Sequence, residues 1–291
     1  MIKADLTGVP ETALWTLYHR ATEAARPDTV LPDPRAMELV TELDFPFRER
    51  LGAARPWVAQ ALALRALAFD QVVREFLATH PDGTVIALGE GLETQFWRVD
   101  NGRVRWVTVD LADPLELRER VLPHGDRQRL VSGDVRDGRW TTGVDASRGV
   151  LVTAQGLLMY LRPAEVTELI AACADAFPGG TLLFDSVSQR FATRTRSGGK
   201  GPGGHRLPPM AWGLDAHERD RLRSAHPAVG DVADVPVPAG RGLLGYLAPR
   251  AAAVPLLRSD RPLITRLRFR ADAAPHRTLP SARRAVPDAR R

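Results

Sequence analysis

From residue 84 onward, short apolar runs alternate with amphipathic helical stretches, and no other feature of the chain restricts its fold as strongly. The runs are Thr84 to Leu88, Val104 to Val109, Arg129 to Val131, Gly149 to Thr153 and Thr181 to Phe184. Between them lie Pro114 to Val121 and Pro163 to Phe177, the latter opening on a proline where a helix leaves an N–H unbonded anyway. Strands rich in Val, Ile and Leu are buried on both faces, and helices between them imply a mainly parallel sheet covered on both sides. The pattern predicts a doubly wound α/β fold. Leu243 to Leu247 and Leu263 to Phe269 are expected as the last strands of the same sheet.

Residues 10–80 read as helical. Pro10 and Glu11 open a segment with Leu14, Leu17, Tyr18 and Ala21 at helical spacing, closed by the proline-rich turn from Pro27 to Pro34. A second helix starts at Pro56 and carries Trp57, Ala61, Leu64, Ala68, Val72 and Leu77 before His80, Pro81, Asp82 and Gly83 stop it. Residues 194–209 are too rich in Gly and Pro to pack and read as a surface loop or lid. Gly199 and Lys200 are followed by Gly201, not the Ser or Thr of a phosphate loop. One domain is expected, with a helical portion over 1–80, an α/β core over 81–270 and a basic tail over 271–291.

The formal charge of +5 raises the question of a nucleic-acid partner. Most of the excess lies between Arg270 and Arg291, where six arginines face Asp272 and Asp288. The body is nearly neutral and has no basic helix with interleaved aromatics, so no nucleic-acid partner is expected. The single cysteine, Cys173, excludes an intrachain disulfide and a cysteine-based zinc site. No apolar run reaches the roughly 20 residues that cross a bilayer, and the N-terminus lacks the build of a signal peptide. A cytoplasmic protein without a membrane partner is the expectation.

The first run ends in Leu88-Gly89-Glu90-Gly91, with a helix expected near Glu93. Glycines at that junction let the backbone approach a ligand closely, and free helix N–H groups point at it. Thr94 stands where a dinucleotide fingerprint has its third glycine, so a nucleoside without phosphate fits better than a diphosphate. Asp110 ends the second run, where a carboxylate can accept from both ribose hydroxyls, or serve as a plain loop or cap carboxylate. Asp134, just past the third run, could accept from an exocyclic adenine amine or cap a turn. These strand ends would line one crevice at the carboxyl edge of the sheet.

The stretch Ala87-Leu88-Gly89-Glu90-Gly91-Leu92-Glu93-Thr94-Gln95-Phe96-Trp97-Arg98-Val99-Asp100, followed by Val104-Arg105-Trp106 and Val109-Asp110-Leu111, resembles the class I S-adenosylmethionine-dependent methyltransferases of the leucine carboxyl methyltransferase superfamily, in particular its bacterial polyketide-type O-methyltransferase branch. Arg65-x-x-x-Phe69-Asp70, the run from Ala154 to Leu161, and Trp212-Gly213-Leu214-Asp215 extend the resemblance over about residues 7–270. It implies a Rossmann-like sheet, S-adenosyl-L-methionine as cofactor and methyl transfer to a small-molecule carboxylate or polyketide-like hydroxyl. Protein carboxyl methylation and an inactive cofactor-binding sensor are the alternatives. On the same resemblance, Arg65 pairs with the methionine carboxylate, unless it is a surface arginine of an amphipathic helix. Gly89, Glu90 and Gly91 line the cofactor, Asp110 and Leu111 hold the ribose end, and Asp134 with Val135 flanks the adenine. Gln155 and Gly156 border the amino group, and Arg20 is a further positive contact.

Two departures from the family pattern bear on this. Glu90 stands where a small residue is common, and its carboxylate is expected to face the cofactor amine or solvent. Gln155 replaces a common Glu, so it can accept from the amine through its carbonyl but gives up an ion pair. The chemistry calls for alignment and water exclusion and no metal. A carboxylate acceptor needs no base, whereas a hydroxyl is helped by one. His19, His205, His217 and Tyr160 are candidates, none in a recognisable pair, and no catalytic residue is assigned.

Overall fold

The computed structural model describes residues 2–199, 207–242 and 262–272. A two-residue strand β1 (Ile2–Lys3) precedes helices α1 (Glu11–Ala24) and α2 (Pro34–Glu42). It pairs in parallel with β2 (Leu43–Asp44), after which come α3 (Phe47–Leu51) and α4 (Pro56–Thr79). The N-terminal portion is therefore mostly helical, with a small strand pair inside it. Proline supplies the first turn of α2 and α4, where a missing N–H costs nothing. The Asp33 side chain caps α2 by accepting from the Ala36 N–H at 3.1 Å.

The core then runs β3 (Thr84–Leu88), α5 (Gln95–Val99), β4 (Arg105–Asp110), α6 (Ala112–Val121), β5 (Gln128–Ser132), β6 (Val150–Ala154), α7 (Pro163–Ala176), β7 (Thr181–Ser186), α8 (Gln189–Arg196), β8 (Val229–Asp234) and β9 (Leu263–Phe269). The sheet order is β5-β4-β3-β6-β7-β9-β8, parallel through β7, with β9 alone reversed and so antiparallel to both β7 and β8. The chain winds outward from β3 to β5 and then returns to start β6 on the other side of β3. Such a reversal opens a crevice between the carboxyl ends of two neighbouring strands, here β3 and β6.

Burial explains why continuous apolar runs were strands. Ile86 and Leu88 of β3 pack on one side with Val166, Leu169, Ile170 and Cys173 of α7. Val85 and Ala87 pack on the other with Ala68, Phe69, Val72 and Val73 of α4. A separate cluster of Leu14, Leu17, Leu39, Phe45 and Phe47 joins the N-terminal helices and reaches Leu92 behind the glycine turn.

Several expectations need correction. The helix after the glycine turn begins at Gln95, close to the expected Glu93, and is only five residues long. Residues 194–209 are not wholly a surface loop, because α8 runs through Arg196 and Leu207 is buried. Strand β8 went unanticipated: its edge position leaves only Val229 and Val232 buried, and a register shift between Val229 and Asp231 breaks the alternation. Strand β9 lies where expected, whereas Leu243 to Leu247 fall outside the described residues.

Candidate cofactor site

The turn after β3 is held in place by backbone geometry. Gly89 and Gly91 have φ of 59° and 51°, a region that costs an L-residue about 1–2 kcal/mol. A Cβ on Gly89 would lie 2.9 Å from Leu157 Cδ1, and one on Gly91 would lie 2.9 Å from the Cβ of Ala13. Helix α1 and the turn after β6 thus press directly on the loop. The Gly91 N–H donates to Asp110 Oδ2 at 2.7 Å and the Leu111 N–H donates to Oδ1 at 2.8 Å. Asp110 is buried, which raises its pKa, while these N–H bonds pull it down. Each carboxylate oxygen keeps a further lone pair. Leu111 is 48% exposed beside it.

Glu90 faces neither an amine subsite nor solvent. Its carboxylate turns inward, pairs with Arg118 at 3.1 Å, and accepts from Trp106 Nε1 and the Thr108 hydroxyl. Arg118 also donates to the carbonyls of Gly91 and Glu93 at 2.8 and 2.7 Å. Glu90 therefore belongs to the scaffold under the turn. Burial raises its pKa against the pull of Arg118.

A second buried ionic group stands behind residues 92–94. Glu93 pairs with Arg20 at 3.0 Å and Arg98 at 2.9 Å, and these two arginines hold its pKa down at about 2 despite burial. Arg98 also reaches Asp33 at 2.9 Å and Asp70 at 2.8 Å. Arg20 donates to the Leu92 carbonyl at 3.0 Å. Its guanidinium is thus committed to bracing the turn. Sequence reasoning missed Glu93, Arg98, Asp33 and Asp70 as parts of the site. Asp70 sits on the buried face of α4 among Ala66, Phe69 and Val73, which was the one signal available.

On the β6 side, Gln155 Nε2 donates to Glu93 Oε2 at 2.9 Å. Its Oε1 is buried and accepts no hydrogen bond from the described residues. The Gly156 N–H donates to Asp185 Oδ1, and Arg65 Nη1 donates to Asp185 Oδ2 at 2.9 Å. Arg65 is not a free surface arginine: its side chain is 19% exposed, and its Nε is buried without a hydrogen bond to any of the described residues. Asp185, near the end of β7, went unnoticed in the sequence although it follows the apolar run Leu182-Leu183-Phe184.

At the far strand, the Gly133 N–H donates to the Asp110 carbonyl at 2.9 Å, bringing the β5 turn beside β4. Asp134 caps the short 3-10 turn Val135–Asp137, and both of its oxygens accept from Arg136. The Val135 side chain is buried in the core. Of the candidate bases, His19 Nδ1 bonds to the Trp15 carbonyl at 2.9 Å. His205 lies outside the described residues, and His217 is exposed near Asp215 and Glu218. Burial pushes Tyr160 up to about 12, which keeps it a donor at neutral pH.

Residues 13–174 match the family model described as leucine carboxyl methyltransferase. The chain belongs to this family. It is 37% identical over 191 residues, 64% of its own length and 70% of the relative's, to the tetracenomycin polyketide synthesis O-methyltransferase of Streptomyces glaucescens. It is 29% identical to an S-adenosyl-L-methionine-dependent methyltransferase of Gibberella zeae, over 63% of this chain and 68% of that one. A crystal structure of a Thermobifida fusca protein described as a methyltransferase superposes with a TM-score of 0.52 at 20% identity, covering 87% of this chain and 94% of that one, and shows the same fold. The protein is an S-adenosylmethionine-dependent methyltransferase with the Rossmann-like sheet of that class. Among the described residues no helix is long and apolar enough to cross a membrane.

Proposed function

We propose that this methyltransferase transfers a methyl group to oxygen on a small, largely apolar acceptor, a polyketide-like phenol or carboxylic acid. The 37% identity to an O-methyltransferase of polyketide synthesis carries the reading. An apolar cluster of Met159, Tyr160, Phe191, Leu207 and Met210 supports it. Tyr160 lies within electrostatic range of Arg65 and Asp185, which places this cluster toward the same end of the crevice.

Two orphaned buried atoms support the fit of the cofactor. Among the described residues Gln155 Oε1 is an acceptor without a donor, suited to an ammonium, and Arg65 Nε is a donor without an acceptor, suited to a carboxylate. Gly89 and Gly91 would lie beneath the cofactor, Asp110 would take the ribose hydroxyls, and Leu111 would cover the sugar. Val135 would flank the adenine. Asp134 would reach the adenine amine only by giving up bonds to Arg136, so its part is to shape the turn. Gly156 brings the backbone close to Arg65, whose Nη1 would lie 3.4 Å from a Cβ placed there. When bound, S-adenosylmethionine supplies a methyl group on an already activated sulfonium. The chain's own task is to align the acceptor oxygen and exclude water. A carboxylate acceptor arrives ionised, and Tyr160 at about 12 is not a base for a phenol.

An inactive sensor would be favoured if Glu90 and Gln155 spoiled the cofactor site. Glu90 is now accounted for beneath the turn, and Gln155 offers an open acceptor. Incubation with isotopically methyl-labelled cofactor and a panel of aromatic polyketides and carboxylic acids, followed by mass spectrometry, tests the proposal. Labelled methyl on acceptor oxygen is the expected product; tight cofactor binding without transfer to any member of the panel would refute it.

A further inference from the structure

The amide of Gln155 is held in one orientation. Its Nε2 donates to Glu93 Oε2 at 2.9 Å, and an ionised carboxylate can only accept. Glu93 is itself fixed by Arg20 at 3.0 Å and Arg98 at 2.9 Å and accepts from the Thr94 N–H at 2.9 Å. The amide therefore cannot flip without setting a carbonyl against a carboxylate. What remains is Oε1, buried and unbonded, at the end of β6 beside Gly156. A buried acceptor held without a donor is costly unless a ligand supplies one.

We propose that Glu93 is a positioning residue for the cofactor's ammonium group, acting through Gln155: it locks the amide so that only the carbonyl is presented to the ligand. The inference rests on the cofactor placement above and adds a residue that touches no ligand. It also accounts for an amide, and not a carboxylate, at position 155. A carboxylate there would lie against Glu93 and meet like-charge repulsion, whereas an amide bonds to Glu93 and still faces the ligand as an acceptor.

Calorimetry with three ligands separates the parts. S-adenosylhomocysteine carries the ammonium and the carboxylate, its decarboxylated analogue carries the ammonium alone, and methylthioadenosine carries neither. Preference for the decarboxylated analogue over methylthioadenosine reads the ammonium subsite. Q155M should lower this preference about tenfold, the scale of one charge-assisted hydrogen bond, and leave methylthioadenosine affinity in place. E93Q should lower the same preference about threefold or more by freeing the amide to flip, and E93Q/Q155M should fall no further than Q155M. If E93Q does not fold because Arg20 and Arg98 lose their partner, E93D withdraws the carboxylate from Gln155 and should show the same loss. A purely structural role for Glu93 would shift the melting temperature and weaken all three ligands equally, and that result overturns the proposal. So does an unchanged preference in E93Q and E93D while Q155M loses it, although the cofactor placement then stands. R65M is the control for the placement: it should lower preference for S-adenosylhomocysteine over its decarboxylated analogue. If neither R65M nor Q155M alters any preference, the methionine end lies elsewhere and both conclusions fall.

Discussion

Asp110→Ala is the substitution whose effect the structure defines best. The carboxylate spans the crevice floor, accepting from the Gly91 N–H at 2.7 Å and the Leu111 N–H at 2.8 Å. One lone pair per oxygen is left for the two ribose hydroxyls. Hydrogen bonds to a charged acceptor contribute about 1.5–3 kcal/mol, so the variant should bind S-adenosylhomocysteine about tenfold to a hundredfold more weakly. The buried Gly91 N–H also loses its partner, which should cost about 1–3 kcal/mol of folding stability. Calorimetry on protein shown to be folded by circular dichroism separates the two effects. Acidity gives a further check. Burial raises the Asp110 pKa above its ordinary 3.8, and as the pH falls through that raised value the carboxylate gains a proton and its acceptor capacity drops. Cofactor affinity of the wild type should decline on acidification, and Asp110→Ala should be insensitive over the same range. A folded variant with unchanged affinity would mean that the ribose does not lie on this carboxylate.

Further expectations concern the scaffold. Glu90→Ala leaves Arg118 charged and buried without its partner, so about 3–5 kcal/mol should be lost in urea unfolding; equal stability would show that the inward carboxylate is dispensable. Gly89→Ala meets both a φ of 59° and a contact of 2.9 Å to Leu157, so it should lower the melting temperature more than Gly102→Ala, which has positive φ and open space around it. Glu93 is held near pKa 2 in the fold against an ordinary 4.5, so its ionised form adds stability that is complete above about pH 4.5 and lost as the pH falls toward 2. Acid unfolding should therefore be less steep in E93Q over that window. Tyr160→Phe should leave the pH profile of methyl transfer unchanged between about pH 6 and 9, since a hydroxyl pushed up to about 12 does not titrate there.

The central strands were legible because burial on both faces demands continuous apolar sequence, and β3, β4, β6 and β7 each meet that demand. The carboxylate at the end of β4 was legible by its distance from the glycine turn. Strand β8 was not, because an edge strand with Gly230 and Asp231 in its middle carries no such run. The direction of Glu90 depended on Trp106 and Thr108, alternate residues of β4 that face the same side, and on an arginine of α6 far along the chain. Buried charges are the hardest to see. Arg20, Glu93 and Arg98 look like solvated residues until α1, α4 and α5 are brought together, since their partners are distant in sequence.

The placement of β9 has a consequence for synthesis on the ribosome. This strand, residues 263–269, is inserted between β7 and β8, both of which are made earlier. Until it emerges, β7 presents an unpaired hydrogen-bonding edge and β8 has no partner in the sheet. A nascent chain is thus exposed to wrong strand pairing until residues 263–269 leave the exit tunnel, and slow elongation through the stretch between β8 and β9 should favour aggregation over completion of the sheet.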